Sequence, residues 1–163
     1  LLVHHPEHYS WLNPIASMFP SLRFVPGGKQ RQDSVRLGLE ALTSDPPDYV
    51  LVHDAARPFL SSELLDRVVR SLDRHHAILP VIPVSDTIKQ VTAEARIQNL
   101  PRHELRAAQT PQAFHYPVLL DLHRQYQDVP VTDDISLAEM ADIPIRLVDG
   151  EAGNRKITVP EDL

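Results

Sequence analysis

An acid, two alanines and an arginine stand together at Asp54-Ala55-Ala56-Arg57, directly after the apolar run Tyr49-Val50-Leu51-Val52 and a histidine, His53. A carboxylate accepts hydrogen bonds from hydroxyl groups, and a guanidinium grips a phosphate or a carboxylate with paired N–H donors. The apolar run reads as a buried β-strand, so the acid and the base sit where that strand must end. In an open α/β sheet, ligands bind beyond the carboxyl ends of parallel strands. Asp54 and Arg57 are therefore expected to project into a site, with two methyl groups between them leaving room for a ligand. The same residues also fit a plain strand-to-helix turn in which Arg57 pairs with Asp54 at the surface, as most charged turn residues are only solvated. His53 at a strand end reads as a structurally satisfied side chain and is given no catalytic part.

Four other groups of residues could carry chemistry. Gly27-Gly28 precedes Lys29, Arg31 and Ser34, and adjacent glycines allow close approach of backbone to a flat ligand. Ser34 stands at a helix start, where its hydroxyl can cap the helix or meet a ligand edge; a glycine turn before a capped helix explains the group equally well. Thr110 with Gln112, and Thr132 with Asp133-Asp134, offer hydroxyls for a phosphate or a polyol. Thr132 also fits helix capping, and the two acids fit a helix N-terminus better than a metal site. Lys156 lies in what reads as a late strand, where a lone lysine is ordinarily an edge residue. The histidine pairs His4-His5 and His75-His76 point apart in a strand or a helix, so neither chelates readily, and metal ligands are assigned to none of these residues.

The elements that must position these groups alternate. Residues 1–5 read as a strand and 6–18 as a helix with Tyr9, Leu12 and Ile15 or Ala16 on one face, strained by Pro14. A short strand over 22–25 leads to the glycines, and 33–42 is helical with Val35, Leu39 and Leu42 on one face. After a loop over 43–48 come the strand over 49–53 and a helix capped by Ser61 or Ser62 with the stripe Leu65, Val68, Val69 and Leu72. A strand over 77–84 follows. Residues 116–126 and 133–140 read as helices, and 145–148 and 155–159 as late strands. This rhythm predicts an α/β fold with a doubly wound, mostly parallel sheet. Residues 85–106 break it. Two short mixed segments, 87–91 and 96–100, flank the polar tip 92–95 and predict a protruding β-hairpin arm. Such an excursion in a compact domain is usually functional or a contact arm.

Composition narrows the classes. The 163 residues suit a single domain able to bury a core, with 42% hydrophobic and 23% charged residues. No cysteine is present, so disulfides and thiolate metal sites are excluded. The formal charge of −6 argues against nucleic-acid polymers as partners. No apolar run approaches the roughly 20 residues of a membrane helix.

Six segments carry a resemblance to one family. They are the octet Val52-His53-Asp54-Ala55-Ala56-Arg57-Pro58-Phe59; Gly27-Gly28-Lys29-Gln30-Arg31-Gln32-Asp33-Ser34-Val35; Pro83-Val84-Ser85-Asp86-Thr87-Ile88-Lys89; Gln109-Thr110-Pro111-Gln112-Ala113-Phe114; Val131-Thr132-Asp133-Asp134; and the closing Asn154-Arg155-Lys156-Ile157-Thr158-Val159-Pro160-Glu161-Asp162-Leu163. In this order they resemble the 2-C-methyl-D-erythritol 4-phosphate cytidylyltransferases of non-mevalonate isoprenoid synthesis, enzymes with a Rossmann-like fold. The resemblance implies cytidylyl transfer from CTP to methylerythritol phosphate with release of pyrophosphate. It implies Mg²⁺ held mainly by the CTP phosphates, a homodimer formed through the arm at 85–106, and a cytoplasmic location. By the same resemblance Gly28, Lys29 and Ser34 contact cytosine, although Lys29 stands where some relatives carry an acid. Asp54, Ala55, Arg57, Thr110 and Thr132 bind the polyol phosphate. Lys156 and Arg57 steady the transition-state charge, and Thr87 and Arg102 reach the partner subunit's substrate. Two features depart from the pattern. The family's Gly-rich phosphate loop and its last helix have no counterpart here, so residues 1–163 are expected to be one nucleotidyltransferase domain incomplete at both ends and, alone, poorly active. Two other readings are a cytidylyltransferase for another polyol phosphate, such as ribitol 5-phosphate, and a non-catalytic dimerising fragment.

Overall fold

The computed structural model describes residues 1–16 and 18–162. Strand β1 (Leu2–His4) leads through a short 3₁₀ turn at Pro6–His8 into α1 (Tyr9–Ala16), which contains Pro14. Ser17, within the expected first helix, and Leu163, the last residue of the closing motif, lie outside the described residues. Tyr9 and Ile15 are exposed and Leu12 is half-buried, so the apolar face expected of α1 is only partly covered. Strand β2 (Phe24–Pro26) pairs in parallel with β1, in the register Leu2 to Phe24. Then come α2 (Arg31–Glu40), β3 (Tyr49–Val52), α3 (Ser62–Ser71) and β4 (Ala77–Pro83).

The arm is a hairpin, as the broken rhythm predicts. Strands β5 (Lys89–Val91) and β6 (Ile97–Asn99) pair antiparallel with Val91 opposite Ile97. At its tip the Ala95 N–H donates to the Thr92 carbonyl. The chain returns through β7 (Arg106–Ala108), β8 (Gln112–His115), α4 (Tyr116–Gln125) and α5 (Ile135–Met140) to β9 (Ile145–Asp149).

Strand β4 organises the molecule. On one edge β9 runs parallel to it, from Ala77 opposite Ile145 to Val81 opposite Asp149. On the other edge β8 and β7 follow one another, both antiparallel to it, divided by a bend containing the cis Thr110–Pro111 bond. Strand β8 also pairs antiparallel with β3, so β3, β4 and β9 share one direction and β8 runs between β3 and β4 against them. Neither β7 nor β8 is legible as periodicity, because each is three or four residues long.

The side chains of β4 alternate between two cores, as expected of a strand buried on both faces. Ala77, Leu79 and Val81 join Phe114, Leu119, Ile135 and Leu137 on the side of α4 and α5. Ile78 joins Ala113, Val148, the α3 residues Leu64 and Val68, and Leu72 at that helix's C-terminal cap on the other. Helices therefore cover both faces of the sheet, the doubly wound arrangement. The buried row of α3 differs from the expected one: Leu64 is inside, while Leu65 and Val69 are exposed. Ser61 caps the helix by accepting from the Leu64 N–H at 3.0 Å, which fixes the start. A helix meeting the sheet along one narrow row then buries positions i, i+4 and i+8.

The strand expected over 155–159 is absent. This segment makes one long-range backbone bond, from the Ile157 N–H to the Ala56 carbonyl at 2.8 Å. Its later N–H groups, at Thr158 and Val159, turn back to the Asp162 carboxylate. With its donors spent locally and on the β3 turn, the segment has no ladder to join, and Lys156 lies on an irregular stretch over that turn.

Candidate active site

Strand β3 ends at Val52, and the chain turns sharply, the Arg57 N–H donating to the Asp54 carbonyl at 2.9 Å. The turn is braced from beneath. His53 Nε2 is 2.9 Å from the Arg57 carbonyl, which can only accept, so Nε2 carries the proton. In the neutral ring Nδ1 then accepts from the Thr110 hydroxyl at 3.0 Å, and that same oxygen accepts from the Asp54 N–H at 3.1 Å. Thr110 is buried, so the structure places it behind Asp54 as a brace. His53 has partners on both ring nitrogens, matching its reading as structurally satisfied.

The Asp54 carboxylate is half-buried between two cations. Lys156 Nζ lies 3.0 Å from Oδ2, and Arg57 Nε 3.7 Å from the same oxygen. Arg57 also works as a clamp. Its Nη1 donates to the Asn154 carbonyl at 2.8 Å and its Nη2 to the Ala108 carbonyl at 3.4 Å, while Nε is enclosed with no hydrogen-bond partner. One guanidinium so ties the ends of β3 and β7 to the closing loop. The open surface pair weighed from the sequence is thus a pair inside a three-way junction.

Two residues of that junction carried no role in the sequence reading. Asn154 is fully buried and donates to the Thr110 carbonyl at 2.7 Å. Gln109 donates to the Glu151 carbonyl and accepts from the Glu151 N–H, fixing the same loop. A signal existed for both, since each opens one of the quoted motifs, but only their depth in the fold explains them.

The glycine turn lies on the far side of a cleft of about 530 Å³ that separates β1 from β3. Arg31 and Ser34 line it from α2, and Asp54 and Ala55 from the β3 turn. The Gly27 N–H donates to the His4 carbonyl and the Gly28 N–H to Ser34 Oγ at 3.1 Å, while Ser34 Oγ donates to the Gln30 carbonyl. The glycines are needed for close approach: a Cβ on Gly27 would stand 2.7 Å from Ser34 Oγ, and one on Gly28 would overlap the Asp33 side chain. Lys29 is exposed at the tip of this turn.

The remaining expected site residues are exposed. Thr132 is exposed just before α5, and the cap of that helix is Asp133, whose Oδ1 accepts from the Ser136 N–H at 3.2 Å. Capping therefore falls to the first of the paired acids. Thr87 and Arg102 are exposed on either side of the hairpin, and Arg102 Nη1 donates to the Ser85 carbonyl at 2.8 Å.

The second acid, Asp134, is fully buried. Arg31 Nη2 lies 2.6 Å from its Oδ2 and His123 Nε2 3.0 Å from its Oδ1. Burial alone would push this carboxyl up, but the hydrogen bonds from His123 and Arg31 outweigh it and hold the carboxyl below the usual range. For Arg31, burial pulls downward and the bond and charge of Asp134 reverse it, leaving the guanidinium above its ordinary value. A carboxylate that titrates lower when folded stabilises the fold fully above its unfolded value near pH 4 and loses that contribution as pH falls through the folded value. Asp134→Asn should therefore lower stability by about 3–5 kcal/mol at neutral pH. The gap to the wild type should close below roughly pH 4. Urea midpoints followed by circular dichroism between neutral and acid pH check this; a gap independent of pH would refute it.

The chain resembles known proteins along its length. The family described as 2-C-methyl-D-erythritol 4-phosphate cytidylyltransferase matches residues 1–163. A bifunctional enzyme IspD/IspF of Nitrobacter winogradskyi is 44% identical over 162 residues, covering 97% of this chain and 41% of that protein. A bifunctional enzyme IspD/IspF of Brucella abortus is 37% identical over 167 residues, covering 100% and 43%. The chain thus spans about two fifths of the length of these relatives. Among solved structures, 4-diphosphocytidyl-2C-methyl-D-erythritol synthase of Anaerococcus prevotii superimposes with a TM-score of 0.90 at 32% identity, covering 99% of this chain and 73% of that one. The 2-C-methyl-D-erythritol 4-phosphate cytidylyltransferase of Thermus thermophilus does so with a TM-score of 0.78 at 40% identity, covering 85% and 68%.

Proposed function

This chain belongs to the 2-C-methyl-D-erythritol 4-phosphate cytidylyltransferase family, and from that premise we propose that it transfers a cytidylyl group from CTP to methylerythritol phosphate. The observation that carries the reading is the Asp54 carboxylate bracketed by Lys156 and Arg57 at a strand end, opening on the cleft that Ser34 and Arg31 share.

A phosphate monoester is mostly dianionic at neutral pH, with a second pKa near 6. Its oxygen attacks the α-phosphorus of CTP without a dedicated base, a new P–O bond forms, and the bond to pyrophosphate breaks. The protein's work is to align two anions and to stabilise the charge that develops. Lys156, exposed and held by one ion pair, is free to turn its ammonium toward the α-phosphate. Arg57, clamped by two carbonyls, adds a fixed positive field. Asp54 accepts from the polyol hydroxyls, Ala55 keeps the wall low, and Thr110 holds Asp54 in place. Gly28, Lys29 and Ser34 form the cytosine side, and Thr132 adds a hydroxyl to the acceptor side.

Mg²⁺ neutralises triphosphate charge when bound. Among the described residues no three His, Cys, Asp or Glu side chains converge. No protein ligand is assigned to the ion, which would take its oxygens mainly from the CTP phosphates, as Mg²⁺ commonly does.

The arm supports a homodimer. Val91 and Ile97 face each other across the hairpin and are 64% and 70% exposed, an apolar pair that a second subunit would cover. Residues 1–163 then act as one nucleotidyltransferase domain, with 85–106 as the dimer arm and Thr87 and Arg102 lent to the neighbour. No helix is long and apolar enough to cross a membrane among the described residues, and a cytoplasmic location accords with a small anionic substrate pair.

Pyrophosphate release from CTP tests the reading directly. With the intact protein we expect turnover with methylerythritol phosphate and at least about tenfold less with ribitol 5-phosphate, the low end of what pocket contacts discriminate. Preference for ribitol 5-phosphate would reassign the acceptor. Dimerisation without turnover by the intact protein would favour a non-catalytic role.

A further inference from the structure

Arg31 opens α2 and lines the cleft beside Ser34 and Asp54, but the transfer chemistry gives it no part. One end of its guanidinium is fixed, Nη2 lying 2.6 Å from Asp134 Oδ2, while Nη1 is enclosed with no hydrogen-bond partner. Asp134 is more than a partner for Arg31. Its second oxygen faces His123 Nε2 on α4 at 3.0 Å, and both of those side chains are fully buried. Its own N–H and that of Ile135 donate to Gln112 Oε1 on β8, at 3.0 and 2.9 Å. Gln112 Nε2 then donates to Asp133 Oδ2 at 3.0 Å. A single carboxylate thus joins α2, α4 and the start of α5, and Gln112 anchors that junction to the sheet.

What these elements carry gives the junction its meaning. The first turn of α2 holds the Gly28–Ser34 hydrogen bond on one side of the cleft. The residues just before α5 include Thr132. The two stretches are remote in sequence, and the Arg31–Asp134 pair bridges 103 positions. A purely structural buried ion pair could be exchanged for packed apolar residues at little loss. Here one partner is a third exposed and stands on the cleft wall.

We propose that Asp134 is a positioning residue: by holding Arg31 it sets the Gly28–Ser34 turn relative to the Thr132 stretch, so that both substrate sub-sites depend on one buried carboxylate. The proposal rests on the cytidylyl-transfer reading for the naming of the two sub-sites. The hydrogen-bond geometry stands without it.

Asp134→Asn keeps the shape and removes the charge. Arg31→Gln removes the other partner at a position about a third exposed, 35% of its side chain. In the intact, folded protein each change should raise KM for CTP and KM for methylerythritol phosphate together, by about tenfold, the scale of one charge-assisted hydrogen bond. The double variant should be no worse than the poorer single one, since one interaction is being removed twice. Arg31→Lys should recover part of the loss. A merely structural pair would lower the melting temperature and leave both KM values within twofold, and that result overturns the proposal. If Asp134→Asn does not fold, Arg31→Gln alone decides by the same criterion. NMR of the arginine side chains gives a reading without turnover. The Arg31 guanidinium should rotate slowly in the wild type and freely in Asp134→Asn; free rotation in the wild type overturns the positioning claim. Absence of turnover by the wild type would instead count against the transfer reading, and the resonance would still decide the role of Asp134.

Discussion

Lys156→Ala should lower kcat by about 10²–10³-fold, the loss seen when one preorganised group that stabilises a transition-state anion is removed. KM for either substrate should change far less. The argument begins with exposure. The Lys156 side chain is about half exposed and held by one contact, Nζ to Asp54 Oδ2 at 3.0 Å. An exposed ion pair contributes between 0 and about 1 kcal/mol to stability, so the variant should fold and melt almost as the wild type does. Any large loss of rate is then chemical rather than structural. On the proposed transfer the ammonium would meet charge that grows on the α-phosphate oxygens only as the reaction proceeds, so its removal should fall on kcat. Asp54, released from Lys156, keeps the Arg57 Nε at 3.7 Å and remains able to accept from the acceptor hydroxyls. Single-turnover kinetics with saturating CTP and methylerythritol phosphate separate the two effects. A kcat within threefold of wild type, or a loss confined to KM, would remove Lys156 from the chemistry.

The residues around Asp54 show how far sequence reaches. The strand over 49–52, the turn after it and the opposed charges of Asp54 and Arg57 follow from a run of apolar residues ending in polar ones. That signal is local, so it survives in the sequence. The cap at Ser61 and the hairpin at 89–99 were legible for the same reason. The row buried by α3 was not. Leu64 and Leu65 are both apolar, and only the direction from which the sheet approaches decides which of them turns in. The segment 155–159 alternates like a strand, but a strand needs a neighbour with free donors and acceptors. The neighbour here is the carbonyl of Ala56 and little else.

The site was less legible than the fold, because its parts come from distant stretches. Thr110 reads as a hydroxyl offered to substrate, yet its bonds to His53 and the Asp54 N–H turn it into a brace. Arg57 reads as a phosphate grip, and both of its terminal nitrogens donate to backbone carbonyls, those of Asn154 and Ala108. In both residues the side-chain type announced polar chemistry correctly, and long-range backbone partners decided where that chemistry was spent. Asp134 shows the opposite case. Its helix-start position suggested a capping acid, while the cap is its neighbour Asp133. Only packing of α2, α4 and α5 around one point buries Asp134 between Arg31 and His123.

Mixing two inactive variants should restore activity if the arm serves a neighbouring subunit. Arg102 is exposed on the returning side of the hairpin, 17 residues from Ser85, whose carbonyl it contacts. Within one subunit this guanidinium is committed to the base of the arm and does not meet Asp54 or Lys156. A two-fold dimer is self-complementary, so each subunit would lend one arm and receive one. An Arg102→Ala protein and a Lys156→Ala protein should each be nearly inactive. In their heterodimer one site would carry both defects and the other neither. After complete exchange of equal amounts, half of the dimers are mixed and each has one intact site of two, so roughly a quarter of wild-type activity should return. The exposed Val91–Ile97 pair would supply apolar surface for such a contact, and replacing both with serine should then weaken the dimer and abolish the recovery together. Exchange can be followed by mass spectrometry of differently tagged subunits while turnover is assayed in the same mixture. Confirmed exchange without recovery of activity would confine Arg102 to its own subunit or remove it from the site.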